Sequence, residues 1–459
     1  MSQGNVNLHI TPSNVLPSGK ISFKSGNPVV QFIIGEQDRL LLGNSVRLVG
    51  KCEFFKNDAG TTNPIKDDGL SMDSRTGIYS MIDQVVIKSQ ATHQVIEHIK
   101  NYNRMMSSYI PSTTTLQDGF SHLSQTALTT PAYECQKNAI VNANAQNRTG
   151  KEQSNSFCVH LPCGLFNGTQ GIPLSGSGGI GGLLIEIHLA PDNNCLFDRN
   201  GTSATTGLNE SFYELSQVHL AAECVDDVRP PGQTSTFEYN SISSYFASVN
   251  STNAIINFNL GLSRVLGIFM NFIPSHMINN FDANGMATMP LQNADNSRAD
   301  VKQIVFTRGG QKYPFMYNVD LEQKTESDQE TIDPQFTRTG IDAIRAFSGA
   351  SRLINSTTNT SLRNMTAEAF VSGGGNSHAG VNPGNAPAGT NNSSKDGGDC
   401  FTLGVGFDSI SNQGISFATE SFGVNLELGL TSNFPHGVYM FCHAKNTLVF
   451  GPGGVQVIN

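Results

Sequence analysis

The sequence predicts an all-β chain made of two antiparallel β-sandwiches in tandem. Three observations carry this. Gly (46), Asn (44) and Ser plus Thr (79) are abundant and charged residues make up only 14% of 459, which disfavours helices and favours strands and turns. Strict alternation of apolar and polar residues appears at Gly182–Leu189 (GLLIEIHL), with Leu183, Ile185, Ile187 and Leu189 on one face. The same pattern returns at Gly423–Leu430 (GVNLELGL), which places Glu186 and Glu427 at equivalent positions and implies an internal repeat of about 230 residues. A length of 459 fits two large domains. We place them at 1–229 and 230–459, with Asp226–Thr234 as linker because the tandem Pro230-Pro231 cannot sit inside a sheet.

Strand signals run through both halves. In the first they are Pro28–Ile34, Ser45–Phe55, Ile78–Ile87, Gly182–Leu189 and Tyr213–Cys224. In the second they are Phe237–Val249, Ala254–Leu260, Arg264–Phe272, Val301–Thr307, Tyr313–Val319, Cys400–Phe407, Gly423–Leu430, Val438–Ala444 and Thr447–Phe450. Two helices are expected. Ala91–Ser108 brings Val95, Ile96, His98, Ile99, Tyr102 and Met106 near one face, and Thr339–Phe347 is a shorter one. Val371–Asp399 is rich in Gly and Asn with almost no apolar side chains, so it reads as an exposed loop; 280–300 is a second polar loop.

The totals exclude several classes. A helical bundle or coiled coil lacks its periodicity here, and so do the amphipathic helices of a doubly wound α/β enzyme. No apolar run approaches the ~18 residues of a spanning helix. The start, Met1–Asn7, has neither a charged nor an apolar leader segment, so folding in a reducing compartment is expected. The eight cysteines (Cys52, Cys135, Cys158, Cys163, Cys195, Cys224, Cys400, Cys442) then read as free, largely buried thiols. The net charge is −9, and Lys20 and Lys24 are the only basic residues among the first 35, so no basic arm is available to neutralise nucleic-acid phosphates.

Candidate chemistry is thin. Gly176-x-Gly178-x-x-Gly181 has the spacing of a dinucleotide fingerprint, but a strand rather than a helix follows it, so it reads as a turn. His93, Glu97 and His98 fit neither zinc-protease spacing, and on a helix His93 and Glu97 would pair across one turn. Cys158, His160 and Cys163 form the densest set of metal-ligand types, but a structural zinc needs a fourth ligand and usually tighter cysteine spacing. No two of the eleven histidines are two residues apart, which removes a bicupin metal site. Carboxylate pairs for glycoside chemistry stay open, because strand carboxylates can converge in space. No residue is assigned a catalytic, cofactor or metal role, and no enzyme activity is expected.

The order of these segments resembles the double jelly-roll major capsid proteins of eukaryotic DNA viruses, and among them most those of polinton-like viruses and virophages. Pro28–Phe54 resembles the opening strands, Leu161–Phe197 the end of the first barrel, and Tyr213–Val225 its last strands. Arg264–Pro274, Val305–Asp320, Ser411–Leu430 and Leu448–Ile458 are similar to the second barrel in the same order. The resemblance implies two eight-stranded jelly rolls with a few short helices in loops. It also implies a homotrimeric, pseudo-hexagonal capsomer that tiles an icosahedral shell around double-stranded DNA in the virion. Penton and minor capsid proteins would be further partners, with no specific nucleic-acid contact, no membrane span and no cofactor. Subunit contacts would each bury more than about 2,000 Å². Three other readings stay open: a minor capsid or penton protein, a glycan-binding attachment protein, and a tandem-sandwich hydrolase.

Overall fold

The computed structural model describes residues 4–113, 127–128, 156–286, 301–312, 319–320, 402–428 and 436–459. Short breaks within these fall at 16–18, 25, 27, 59–60, 65–69, 74–75, 169, 177, 199–203, 205–206, 230–234, 283–284, 408–412 and 452–453. The linker prolines, the Thr339–Phe347 helix, the 371–399 loop, Cys135, Cys400 and most of 280–300 and Tyr313–Val319 lie outside the described residues.

The first half contributes β1 (Val6–Ile10), β2 (Val29–Ile34), β3 (Arg39–Leu42), β4 (Arg47–Asp58), β5 (Thr61–Pro64), β6 (Leu70–Met72) and β7 (Ile82–Ser89). It continues with β8 (Val95–Ile99), β9 (Ser156–His160), β10 (Gly171–Pro173), β11 (Leu183–Leu189), β12 (Leu196–Asp198) and β13 (Phe212–Asp226). Helices α1 (Tyr102–Thr113) and α2 (Asp192–Cys195) sit between strands. All pairings among the described residues are antiparallel. Two four-strand orders make the sandwich: β1-β13-β4-β9 and β2-β11-β7-β8.

The second half contributes β14 (Ser235–Val249), β15 (Asn253–Phe258), β16 (Val265–Pro274), β17 (Val301–Arg308) and β18 (Gln311–Lys312). After these come β19 (Val319–Asp320), β20 (Thr402–Gly406), β21 (Phe422–Leu428), β22 (His436–Gly451) and β23 (Gly454–Ile458). Its two orders are β14-β22-β16-β20 and β15-β21-β17-β18. Taking the eight sandwich strands of each half in chain order, both halves have the arrangement first–eighth–third–sixth over second–seventh–fourth–fifth. That is the jelly roll, twice. Among the described residues no sheet mixes strands from the two halves.

The internal repeat is visible at single-residue level. Strand β11 occupies the place in its sheet that β21 occupies in the other. Glu186 stands in register with Gln31 of β2, as Glu427 does with Asn253 of β15. The alternation in β11 is realised as expected, with Leu183, Ile185, Ile187 and Leu189 buried and the residues between them half-buried. Each barrel fills with large apolar side chains, Phe32, Phe54 and Phe157 in the first and Phe269, Phe306 and Phe417 in the second. The glycines before β11 do turn work. Gly181 and Gly182 have φ of 70° and 78°, a left-handed backbone that disfavours side chains. The Gly176 N–H donates to Glu36 Oε1 at 2.9 Å, so this stretch closes on protein rather than on a phosphate.

Three expectations need correction. Ala91–Ser108 is not one helix. Residues 90–94 form the turn of the β7–β8 hairpin, with His93 at φ 58°, and Val95–Ile99 is a strand. Only from Tyr102 does a helix run, after Asn101 reverses the chain at φ 53°. Pairing with β7 gives the β-branched Val95, Ile96 and Ile99 a ladder, and that outweighs a 3.6-residue apolar period over so short a stretch. Consequently His93 and Glu97 do not share a helix face. Ile78–Ile87 begins as a 3-10 turn over Gly77–Met81 before β7 starts at Ile82. Val438–Ala444 and Thr447–Phe450 are one strand, β22, which pairs with β14 from His436 to Phe450.

Candidate functional site: the junction between the two halves

Two sheet edges meet where the halves touch. Strand β8 is the last strand of its sheet and β14 the last of its own. Side by side, two bare edges would tend to zip into one continuous sheet. They do not pair, because side chains intervene. In register with Ile87, Glu97 lies on the core-facing side of β8 and is 4% exposed.

Its carboxylate takes three backbone N–H groups: Gly164 to Oε1 at 2.9 Å, Leu165 to Oε2 at 3.0 Å and Ile242 of β14 to Oε1 at 2.8 Å. The Cys163 thiol is a further hydrogen-bond partner. Burial raises the Glu97 carboxyl from its ordinary range to about 7, against the pull of the three N–H donors. Around it, the Tyr239 hydroxyl donates to the Ile96 carbonyl at 2.7 Å and the Lys100 N–H to Ser244 Oγ at 3.1 Å. Gly164 leaves no room: a Cβ there would collide with the Asn240 backbone carbonyl.

Seven positions further on, Arg104 of α1 is fully buried. Its Nη2 donates to Asn194 Oδ1, and its guanidinium lies 5.6 Å from the centroid of the Tyr439 ring in β22. The Arg104 carbonyl accepts from Asn271 Nδ2 of β16. Burial lowers the Arg104 guanidinium from its ordinary value. The segment from β8 into α1 therefore fastens the first barrel to β14, β16 and β22 of the second.

The other sequence candidates do not converge. Cys158 is exposed on β9 and His160 points to the same side, where burial and then the nearby Arg47 lower its ring to about 4. Cys163 turns away from both and sits against Glu97, its thiol pushed up mainly by burial. Among the described residues no group of three or more His, Cys, Asp and Glu is placed to hold a metal. The six described cysteines are free, and Cys158 alone of them is exposed rather than buried. A pocket inside the first barrel is lined by apolar side chains alone, among them Val30, Phe32, Leu48, Met81, Phe157 and Leu215, with nothing to orient a reacting group. His98 bonds Gln84 on the outer sheet face, and Glu186 bridges Gln31 and Lys88 there.

Sequence reasoning missed Glu97 and Arg104 as junction residues. The usable signal was a carboxylate at an inward position of an edge strand, and it appears only once β8 is recognised as a strand.

No family model matches the chain, and no curated protein matches it. Solved structures do. The PBCV-1 virus capsid matches with 10% identity and a TM-score of 0.54, covering 100% of this chain and 97% of that one. A chain of the Sputnik virophage structure matches with 12% identity and a TM-score of 0.55, covering 99% and 88%. The mavirus major capsid protein matches with 11% identity and a TM-score of 0.50, covering 98% and 90%. What the chain shares with them is the fold, the double jelly roll.

Proposed function

We propose that the chain is a major capsid protein whose copies associate as trimers, each a pseudo-hexagonal capsomer of six jelly rolls, and tile an icosahedral shell around double-stranded DNA in a virion. The observation that carries this reading is the duplicated strand order within one chain, matched over nearly the whole length of both partners in the comparison with the PBCV-1 capsid. Two barrels per chain and three chains give a six-cornered tile, so the duplication has a geometric purpose. The division into 1–229 and 230–459 belongs to this proposal.

The role is mechanical. Copies of the chain bind each other and neighbouring capsomers, with penton and minor capsid proteins completing the shell. Low charge density suits surfaces that are covered on assembly. No catalytic, metal or cofactor residue is invoked. Among the described residues no helix is long and apolar enough to cross a membrane.

Light scattering on the purified full-length chain tests the reading. Three times 49.3 kDa is about 148 kDa, and a species of that mass that resists dilution supports an obligate capsomer. A monodisperse 49.3 kDa monomer would remove the shell reading.

A further inference from the structure

The junction inside the chain joins unlike ends. The fifth sandwich strand of the first barrel, β8, lies beside the first of the second barrel, β14. Three hydrogen bonds cross between them: from the Tyr239 hydroxyl to the Ile96 carbonyl, from the Ile242 N–H to Glu97 and from the Lys100 N–H to Ser244 Oγ. They advance along both strands in the same direction. Because the two barrels share one strand order, the chain keeps a second pair of such ends. One is β1, the first strand of the first barrel, which ladders only with β13 among the described residues. The other is β18, the fifth strand of the second barrel, with β19 following it along the same side of β17.

Burial distinguishes the covered first strand from the bare one. On the inward side of β14, Phe237, Tyr239 and Ser241 are buried. On β1 the inward Val6, Leu8 and Ile10 are only half-buried, although Leu8 and Ile10 pack on the core. The strand is nevertheless held in place: five residues ladder onto β13, and on the outer side His9 stacks on His219 with ring centroids 4.2 Å apart. An ordered edge with half-covered apolar side chains is a template for another edge to cover. In the second barrel, Gln311 and Lys312 of β18 are exposed. Val319 of β19 stands opposite Ile304 as Glu97 stands opposite Ile87, and those two isoleucines ladder onto the repeat-related Leu426 and Ile185. The carboxylate of the internal junction is therefore not repeated at the second end.

We infer that the β1 edge of one copy receives the β18–β19 edge of the next, repeating between chains the contact that β8 and β14 make within one. The partner is a second copy of this chain, and the interface is head-to-tail. Unlike surfaces meet, which closes a ring when the rotation per step allows it and does not make a two-fold dimer. The inference rests on the trimer proposed above: three copies joined in this way give six barrels with one kind of neighbour contact throughout, alternately within and between chains. In the direction of the internal junction, β18 comes before β19 and falls beside the start of β1. That sets Lys312 of one copy near Asn7 of the next.

Crosslinking of the full-length protein tests it, in a Cys158→Ser background that removes the exposed native thiol. Asn7 and Lys312 are both exposed, so Asn7→Cys and Lys312→Cys should leave the fold and the mass in solution unchanged. With a short bis-maleimide, the double variant should run at two and three times the chain mass on a denaturing gel, and peptide mapping should join position 7 to position 312. Two single variants expressed together should stop at twice the chain mass, and each expressed alone should stay at the mass of one chain. Trimers by light scattering that give no 7-to-312 link overturn the inference and leave the trimer reading standing. A link from 7 to 7 or from 312 to 312 does the same, because it needs like edges to meet. An unaltered chain that is monomeric overturns both.

Discussion

Glu97 and Ile242 are 145 residues apart in sequence, yet the Glu97 carboxylate accepts the Ile242 N–H at 2.8 Å. The bond crosses from one jelly roll to the other. Ile242 belongs to an edge strand, and its outward N–H would otherwise face a neighbouring edge. A side-chain acceptor satisfies that donor and ends the sheet there, which keeps the two barrels as separate sandwiches.

Gly164 should be intolerant of any side chain. A Cβ would strike the Asn240 backbone carbonyl, and backbone on both sides of the seam has little room to yield. Gly164→Ala is expected to destabilise the chain by roughly 1–3 kcal/mol. Chemical denaturation checks this, and an unchanged midpoint would show that the seam is looser than described.

Deleting the Glu97 carboxyl should cost far more than altering Glu186, the carboxylate on the outer face of β11. Glu97→Ala leaves three buried N–H groups without acceptors, at about 1–3 kcal/mol each. Glu186 pairs with Lys88 at 2.8 Å on the partly solvated outer face, so Glu186→Gln should cost less than about 1 kcal/mol. Thermal melts of the two variants side by side rank them. Equal losses would remove Glu97 from its role at the junction.

His443 is fully buried, and neither ring nitrogen has a hydrogen-bond partner among the described residues. Its ring packs 5.4 Å from Phe269, so His443→Phe keeps an aromatic contact and removes two unsatisfied polar atoms. The variant should melt higher than the unaltered chain.

Burial lowers His443 from 6.5 to about 3, so between those values the unfolded chain binds a proton that the folded one refuses, and stability falls as pH falls. Glu97 is raised from 4.5 to about 7, so its contribution is fully present below 4.5 and is lost as pH rises through 7. Between 4.5 and 6.5 the two slopes oppose each other. Melting temperature against pH should therefore steepen in opposite directions in His443→Phe and Glu97→Gln. Parallel profiles would contradict both assignments.

The outer edge of β2 is protected by a side chain rather than a strand. Asn14 Nδ2 donates to the Val29 carbonyl at 2.7 Å, its Oδ1 accepts the Gln31 N–H at 3.0 Å, and the Ser13 N–H donates to the Gln31 carbonyl. Asn14→Ala should leave the melting temperature nearly unchanged, since these bonds are exposed, but raise the rate of aggregation by baring the edge. Turbidity at fixed concentration measures it; an unchanged rate would mean that Asn14 does not guard the edge.

How legible a feature was depended on the range of the physics behind it. The β11 and β21 strands, and the equivalence of Glu186 and Glu427, could be read because alternation is local and a half-buried strand writes it directly into the chain. The first part of the 91–108 helix failed because the apolar residues Val95, Ile96 and Ile99 suit either period over so short a stretch, and only pairing with β7 decides. Glu97 was noted, but with the wrong partner: as a helix residue it faced His93 and solvent, and as a strand residue it faces the core.

By itself the sequence determined an all-β chain, its duplication and the turns that separate its strands, since composition and period-2 patterning act over a few residues at a time. Tertiary structure alone decided which edges meet and what lies between them. Glu97 reaches Gly164, Leu165 and Ile242, and Arg104 reaches Asn194 and Tyr439, across spans of chain that no local pattern encodes. Burial at that seam then turns an ordinary glutamate into a group that titrates near neutrality, because its energy depends on the water and charge that the fold excludes.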